Sequence, residues 1–493
     1  MSLPPVPDRS VPRSAPSFRP TARPSDGTTD RTARQYRSPT MESPVTTSSA
    51  KAHRSRPAHR SAPLVGRPFR ALLTLLLAMA ALLSMSPARA TDDAARGRPV
   101  ADAWTRAWAT APTLPFSEGI SATGFADRTI RQVLHLGTGG PELRLTLSNR
   151  FGDRPLTVDA TEVARPGGRG GIVPRTATPV TFDGAGSVTI PAGAEATSDP
   201  VDFATRAGTD VTVSLYLAEP TGPTTWHRLA SATTWVSEPG DHTGDRTAAA
   251  FPTTVEHFFF VTGVDVSAPA DATGTVVTLG ASHTDGVGST VDANRRYPDV
   301  LATRLGGEVG VPNLGIGANQ VINDTEYGSI GAVNRFDQDV LGQPGVTDVI
   351  WIQGLNDILG AYYLPDDAPT TDEIIAGYED VIARAHEADL RIIGGTLGPI
   401  RGVEEWSPEG EAKRQVLNRW IREESGFDGI LDVDALWRDP ADHQRLNPVY
   451  DSGDHLHPND LGYRVLAEAI DLDCLSVTDP AAVPTGPRAD CTL

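Results

Sequence analysis

The hydrophobic pattern of this chain changes at about residue 274, and that change restricts the possible folds more than any other feature. Between Trp104 and about Pro269, short alternating apolar runs such as Leu143–Leu147 are separated by Gly, Pro and Asp turns. This pattern predicts an all-β region, which we expect to be a sandwich or jelly roll of about eight strands. After residue 274, apolar strands alternate with amphipathic helices, which predicts a parallel sheet covered on both faces.

Five candidate strands of this α/β region lie at residues 276–279, 309–314, 349–353, 390–394 and 430–433. Helices are predicted between them. One has apolar residues at helical spacing from Ile374 to Ile382, another begins at Pro408 after Ser407, and the last opens at His457–Asp460. In open α/β sheets the reacting groups gather beyond the carboxyl ends of the strands. The residues that follow each strand are therefore the candidates for a functional site.

The first 90 residues are expected to lie outside these folded regions. Residues 1–66 are rich in Pro, Arg, Ser and Thr, which predicts a disordered extension. Residues 67–90 resemble a signal peptide cleaved near Ala90: two arginines precede an uncharged run, and small residues follow it. The run is shorter than the roughly 20 residues of a membrane span, so we expect no stable membrane anchor. Translation from Met41 is an alternative start.

The remaining chain is expected to be secreted and to contain three parts. These are a β-sandwich domain (100–269), an α/β domain (274–473) and a C-terminal tail (474–493). The tail is expected to be tied by a disulfide between Cys474 and Cys491, since disulfides persist outside the cell; two free thiols are the alternative.

The charge of the chain argues against polyanionic partners. The net charge is −19, and because residues 1–90 carry +10, the rest carries −29. Such a field repels nucleic acid and anionic membrane surfaces, so we expect neither as a partner. The sequence does not indicate an oligomeric state.

Polar residues follow three of the predicted strands. The first strand runs into Gly280-Ala281-Ser282, a tight turn that presents a hydroxyl as a candidate nucleophile. The second leads into a small-residue loop that ends at Asn319, and the third ends in Gly354-Leu355-Asn356-Asp357, where the Asn356 amide could donate to an oxyanion. Taken singly, each is also ordinary turn or helix-cap chemistry.

A fourth group, Asp454 and His457, lies just before the last helix. Their separation of three residues allows the carboxylate to orient the imidazole that would deprotonate Ser282. Alternatively, His457 caps the helix, or Asp451, Asp454, His455 and His457 bind a metal, although the spacing fits no dedicated zinc or calcium motif.

Together these groups resemble the blocks of the SGNH (GDSL-like) hydrolase family over about residues 274–472. The agreement lies in Thr284-Asp285-Gly286, in Gly354–Asp357 and in Asp454–Pro458. The chain is similar to actinobacterial secreted esterases with an N-terminal β-sandwich. The resemblance implies a flavodoxin-like three-layer α/β/α domain.

For the site, the resemblance implies that Ser282 is the nucleophile, His457 the base and Asp454 its orienting partner. The oxyanion hole would consist of the amides of Ser282 and Ala318 and the side chain of Asn356, with no metal or organic cofactor. The sequence departs from the family pattern at three positions: Ala281 replaces an Asp, Ala318 replaces a Gly, and His283 replaces an aliphatic residue.

The expected activity is hydrolysis of carboxylic esters through an acyl-enzyme, with an acetylated polysaccharide or a lipid ester as substrate. The alternative is a catalytically impaired relative in which the β-region binds a glycan or a cell-surface component. Four tryptophans of that region are candidates either for stacking on sugars or for the core: Trp104, Trp108, Trp226 and Trp235.

Overall fold

The computed structural model describes residues 104–267, 274–478 and 491. The predicted extension (1–66) and signal peptide (67–90) lie outside the described residues and stay predictions. The domain boundaries also stay predictions, since all described residues belong to one compact unit, Asp92–Leu493. Within the described ranges, we find no helix with both the length and the apolar character needed to cross a membrane.

The N-terminal described range is built almost entirely of β-strands. Its strands are β1 Trp104–Ala109, β2 Arg128–Leu136, β3 Leu143–Ser148, β4 Leu156–Val158, β5 Ala160–Ala164, β6 Pro166–Gly168, β7 Gly171–Ile172, β8 Thr178–Pro179, β9 Val188–Ile190, β10 Glu195–Thr197, β11 Thr209–Leu217, β12 Trp226–His227, β13 Thr234–Pro239, β14 Thr253–Val255, β15 Phe258–Phe259 and β16 Val261–Ser267. One short helix, α1 (Ile120–Thr123), and a 3-10 turn (Ala248–Ala250) interrupt them. There are more strands than the eight expected because many of them are only two or three residues long and are separated by turns.

Two antiparallel sheets form this β-region. One has the order β1-β16-β3-β10 and the other the order β14-β13-β2-β11-β5-β8. The apolar positions alternate along the strands, and Leu145 of the first sheet shares one buried core with Val213 of the second. The region is therefore a sandwich, as the period of two predicts. Trp108 and Trp226 lie in this core, so they belong to the packing and not to a sugar-binding surface.

The second described range contains a parallel sheet covered by helices. Its strands are β17 Thr275–Gly280, β18 Asn313–Gly315, β19 Val346–Ile352, β20 Arg391–Gly395 and β21 Gly429–Leu431, followed by the hairpin β22 Arg438–Asp439 and β23 Asp442–Leu446. Its helices are α2 Ser282–Asp285, α3 Tyr297–Arg304, α4 Ala332–Phe336, α5 Leu355–Leu359, α6 Thr371–Glu387, α7 Pro408–Glu423, α8 Val433–Trp437 and α9 Asp460–Ala469. A π-turn (Asp337–Leu341) follows α4, and 3-10 turns occupy Gly360–Tyr362, Pro365–Asp367, Leu472–Cys474 and Ser476–Thr478.

The order of the sheet is β18-β17-β19-β20-β21, and all neighbouring pairs are parallel. This is the flavodoxin-like order, with separate buried clusters on its two faces, so the predicted three-layer fold is confirmed. The second strand is shorter than the predicted 309–314. Pro312 has no amide hydrogen for the ladder, so regular pairing with β17 starts only at Asn313.

Local capping explains where the main helices begin. Thr370 and Glu373 form a reciprocal capping box at the start of α6, and Ser407 accepts a hydrogen bond from the Gly410 amide at the start of α7. The last helix starts after Asn459, whose side chain accepts from the first-turn amides. The residues Asp454–Pro458 are therefore a loop fixed to the N-terminus of α9.

The β-region packs directly on the edge of the parallel sheet. Thr110, just after β1, forms a parallel bridge with Asn313 of the edge strand β18. The Thr138 hydroxyl donates to the Gly307 carbonyl at 2.6 Å, and Arg150 pairs with Asp339 at 3.3 Å. The β-region therefore covers a strand edge that would otherwise expose unpaired backbone groups.

The C-terminal tail is attached by a disulfide between Cys474 and Cys491. The Cys491 carbonyl accepts a hydrogen bond from the Ile430 amide in β21 at 3.0 Å. Ser476 donates its amide to Asp348, near the start of β19, at 2.7 Å. These contacts of the tail lie beside β21 and near the start of β19. They are therefore away from the carboxyl ends of the parallel strands.

Candidate active site

Three of the predicted site residues lie at one edge of the parallel sheet. Ser282 follows β17, Ala318 follows β18 and Asn356 follows β19. Strand β17 lies between the other two, so the order in which successive strands join the sheet reverses there. Ligands of doubly wound sheets bind at such a reversal, beyond the carboxyl ends of the strands.

Ser282 is the first residue of α2, directly after a sharp turn. A Cβ at Gly280 would collide with the Thr284 hydroxyl and the Ile352 carbonyl, which explains the glycine. The Ser282 side chain is partly exposed. As the first amide of a helix, the Ser282 N–H has no intrahelical acceptor, and no described residue accepts from it. Both the hydroxyl and the amide therefore remain accessible to a ligand.

Asp454 and His457 form a hydrogen-bonded pair. One Asp454 oxygen lies 2.6 Å from Nδ1 of His457, and the other accepts from the His457 and Leu456 amides at 2.8 and 3.0 Å. Partial burial acts to raise the pKa of the Asp454 carboxyl, but these hydrogen bonds outweigh it and hold the pKa well below its usual range. The ionised carboxylate favours the tautomer of the neutral imidazole in which Nδ1 carries the proton and Nε2 the lone pair.

The Nε2 atom of His457 is buried and has no hydrogen-bond partner among the described residues. Ser282 Oγ is not within hydrogen-bonding geometry of it. The two are nevertheless brought into one neighbourhood, because the ring of His283, adjacent to Ser282, lies 5.6 Å from the His457 ring. Contacts between catalytic groups are often long in structures without a ligand.

His283, which departs from the family pattern, contacts the loop that carries His457. Its Nε2 donates to the Leu456 carbonyl at 3.0 Å, and its ring packs edge-on against Trp437. Burial, followed by the proximity of His457, lowers the pKa of His283 to about 4. The ring is therefore neutral near pH 7, and it joins the segment of Ser282 to that of His457.

The loop after β18 has an unusual backbone at Ala318. Its φ of 67° lies in the left-handed region, which favours glycine, the residue that the family has there. The Ala318 amide hydrogen has no acceptor among the described residues. Asn356 Nδ2 donates to the carbonyl of the next residue, Asn319, at 2.9 Å, so its amide is held against this loop.

Two buried residues support the loop: Asn319, which the sequence analysis named only as the end of the loop, and Arg335, which it missed. Arg335 donates to the Asn319 side chain, to the Leu314 carbonyl and to the Gly280 carbonyl, just before Ser282. Asn319 in turn donates to the carbonyls of the residues 328 and 330. No local signal identifies Arg335, because it lies on a short helix far from every motif.

A metal site is not supported at Asp451–His457. His455 pairs with Asp451 at 2.7 Å, whereas His457 pairs with Asp454, so the four side chains form two separate pairs. Throughout the described ranges, no group of three or more His, Cys, Asp or Glu side chains is placed to hold a metal ion.

The order of the sheet places this part of the chain in the doubly wound α/β class. Residues 278–465 match the GDSL-like Lipase/Acylhydrolase family, whose members are also called SGNH hydrolases. The match supports hydrolysis of ester bonds as the general activity.

Solved structures that resemble the chain include three hydrolases. One is an α/β hydrolase enzyme from the metagenome of Lake Arreo in Spain, with 22% identity, 40% of this chain and 92% of that chain covered, and a TM-score of 0.31. A catalytic mutant of an acetylxylan esterase from Geobacillus stearothermophilus has 22% identity, coverage of 40% and 91%, and a TM-score of 0.32. An inhibitor-bound aryl esterase from M. smegmatis has 16% identity, coverage of 43% and 99%, and a TM-score of 0.34. No curated protein matches the chain.

Proposed function

We propose that the protein is a secreted serine esterase that cleaves carboxylic esters through an acyl-enzyme on Ser282. The observation that carries the proposal is the state of His457. Asp454 holds its Nδ1 at 2.6 Å, its buried Nε2 has no partner among the described residues, and its ring lies 5.6 Å from that of His283, the neighbour of Ser282. A buried nitrogen without a partner is costly, and a serine hydroxyl that reaches it during turnover removes that cost.

In the proposed reaction, Ser282 Oγ attacks the ester carbonyl carbon while its proton moves to Nε2 of His457. The oxyanion binds to the Ser282 and Ala318 amides and to Asn356 Nδ2. Collapse of this intermediate breaks the bond to the alcohol oxygen, which takes the proton from His457. Water, deprotonated by His457, then attacks the acyl-enzyme, and the acid and free Ser282 are released.

The proposed substrate is an acetylated polysaccharide or an acyl ester of a lipid. Secretion is supported by the disulfide, which persists in oxidising compartments. The net charge of −29 after residue 90 favours uncharged esters over anionic ones.

The proposal is tested with the chain from Thr91 and p-nitrophenyl acetate and butyrate as substrates. We expect turnover that Ser282→Ala abolishes and that Ser425→Ala, distant from the site, leaves unchanged. A fluorophosphonate probe should label Ser282 in the wild type. Turnover that persists in Ser282→Ala would reject the serine mechanism.

A second candidate function is that of a glycan-binding protein with impaired catalysis. Two features favour it: a cleft lined mainly by the β-region, and Ala281, which stands where the family pattern has an Asp. The cleft, about 460 Å³, is lined by Trp235, His135, Asp210 and Asn294, a combination suited to stacking on and hydrogen bonding with a sugar. This candidate predicts retarded migration in gels containing acetylated xylan, lost in Trp235→Ala but kept in Trp104→Ala. It also predicts an inert wild type that Ala281→Asp activates.

A further inference from the structure

Three consecutive residues of the β-region lie against the surroundings of Ala318. Arg228 and Leu229 contact its loop directly, and His227 contacts Asp285, which binds the loop. His227 ends β12, and its ring is buried between two oxygen atoms. Nδ1 lies 2.8 Å from the Ala111 carbonyl, and Nε2 lies 3.0 Å from Oδ1 of Asp285. The side chains of His227 and Asp285 are only 3% and 2% exposed, so this pair between the two regions is shielded from water.

Asp285 relays this contact to the loop. Its second oxygen, Oδ2, accepts the amide hydrogen of Gly317 at 2.7 Å. Asp285 also lies in the same short helix as Ser282. The buried pair therefore fixes the distance between the segment of Ser282 and the loop after β18.

Arg228 holds the next peptide group. Its Nη2 donates to the Gly317 carbonyl at 3.2 Å, and a Cβ at Gly317 would collide with a methyl carbon of Leu229. The Gly317 carbonyl and the Ala318 amide belong to one planar trans peptide, so they point in opposite directions. Because Arg228 fixes the carbonyl, the Ala318 N–H points away from Arg228.

The backbone of Ala318 needs such support. Its φ of 67° costs an alanine about 1 kcal/mol or more relative to right-handed backbone. Strained backbone persists where the surroundings over-determine it. Here Gly317, the residue that precedes Ala318, is bound at its amide by Asp285 and at its carbonyl by Arg228, so the two peptide groups before Ala318 are both held.

We propose that His227 and Arg228 are positioning residues for ester hydrolysis, which aim the backbone amide of Ala318 at the oxyanion of the transition state. The β-region is then a functional part of the esterase and not only a cover for the sheet. This inference rests on the proposed function, because it assigns the Ala318 amide to the oxyanion hole.

The decisive variant is Arg228→Met in the full chain from Thr91, since methionine keeps the aliphatic stem but cannot donate. Arg165→Met is a matched control. The Arg165 guanidinium also donates to a backbone carbonyl, that of Ala204, and stacks on a phenylalanine ring, but all these contacts stay within the β-region.

For Arg228→Met we expect kcat with p-nitrophenyl acetate to fall by roughly 10- to 100-fold with KM within about twofold, since an oxyanion donor acts on the transition state. Binding of a trifluoromethyl ketone, which forms a tetrahedral oxyanion on the serine, should weaken by a similar factor. Arg228→Lys should recover part of both losses, and Arg165→Met should show neither. Melting temperatures verify that each variant is folded.

His227 gives an independent measurement. His227→Gln keeps a donor for Asp285, so it should lose less kcat and less inhibitor affinity than His227→Leu. If Arg228→Met is folded and its kcat and inhibitor affinity are unchanged, or only its KM is raised, the positioning role is overturned. The esterase proposal still stands in that case, provided that turnover by the wild type depends on Ser282. An inert wild type would overturn both.

Discussion

At the scale of single residues, two hydrogen-bonding contacts hold the loop that carries His457. Asp454 and His457 are close in sequence, and one loop turn brings the carboxylate to Nδ1. His283 acts from the other side, because its donated hydrogen bond to the Leu456 carbonyl fixes the same loop to the segment of Ser282. The position of His457, the proposed base, therefore depends on both contacts.

Asp454→Asn is expected to lower kcat by roughly 10³- to 10⁴-fold with little change in KM. An asparagine amide donates to Nδ1 instead of accepting from it, so the proton moves to Nε2 and the base is lost. Asp451→Asn is the matched control, since Asp451 holds the neighbouring His455. Steady-state kinetics on both variants measure the effect. If kcat falls equally in both, Asp454 has only a structural role.

His283→Leu is expected to change how stability depends on pH. The pKa of His283 is about 4 in the folded protein and its usual value is 6.5, so between these values only the unfolded chain binds the proton. Stability of the wild type therefore falls as the pH falls from 6.5 to 4. The variant lacks this contribution, and its stability relative to the wild type should improve by about 2 to 3 kcal/mol across that window.

Urea unfolding at several pH values measures this effect, with His443→Leu as an exposed control. Parallel pH curves for wild type and His283→Leu would contradict it.

At the scale of elements, α7 is fixed to the sheet by a buried network of charges. Arg414 of α7 is fully buried and pairs with Glu411 at 2.8 Å and with Asp434 of α8 at 2.5 Å. It also donates to the Leu397 carbonyl, just beyond β20. Burial lowers the pKa of Arg414, but the hydrogen bonds that it donates to these carboxylates, together with their negative charge, outweigh burial and raise the pKa overall. The network thus orders three elements around the end of β20.

Arg414→Met is expected to destabilise the fold by about 3 to 5 kcal/mol, because buried Glu411 loses the arginine that pairs with it and buried Asp434 keeps Arg422 but loses Arg414. Arg419→Met, on the exposed face of the same helix, should change stability by less than about 0.5 kcal/mol. Denaturant unfolding measures both. A small loss in Arg414→Met would show that water and Arg422, which already pairs with Asp434 at 2.8 Å, compensate for the missing charge.

At the scale of the whole molecule, the two described regions share backbone as well as side-chain contacts. The bridge from Thr110 to Asn313 extends the parallel sheet by a segment of the β-region, and the buried His227–Asp285 pair crosses the same boundary. Separating the regions would expose a strand edge and leave two buried polar groups without partners.

We therefore expect one cooperative unfolding transition for the chain from Thr91. Far-UV circular dichroism should report mainly the helices of the α/β region, and tryptophan fluorescence both regions, through Trp108 and Trp226 in one and Trp351 and Trp437 in the other. The two signals should have the same midpoint. Two separate midpoints would contradict the expectation, and would also weaken the proposed role of the β-region in catalysis.

The sequence alone determined the features that depend on local pattern. The period of the apolar residues, two in strands and 3.6 in helices, distinguished the sandwich from the α/β region. The ends of the predicted strands identified Ser282 and Asn356 as candidate site residues, because all parallel strands end at the same edge of the sheet. The shortened strand β18 also has a local cause, in Pro312, but alternation alone did not reveal it. The roles of the site residues stay predictions until the variants are measured.

Only the tertiary structure decided how the site is supported. His227 and Asp285 are separated by 58 residues, and Arg228 and Gly317 by 89. Propensity and periodicity act over a few residues, so they carry no information about such pairs. The left-handed backbone of Ala318 is likewise unexpected for alanine, and it becomes understandable only once the packing of the β-region against its loop is known.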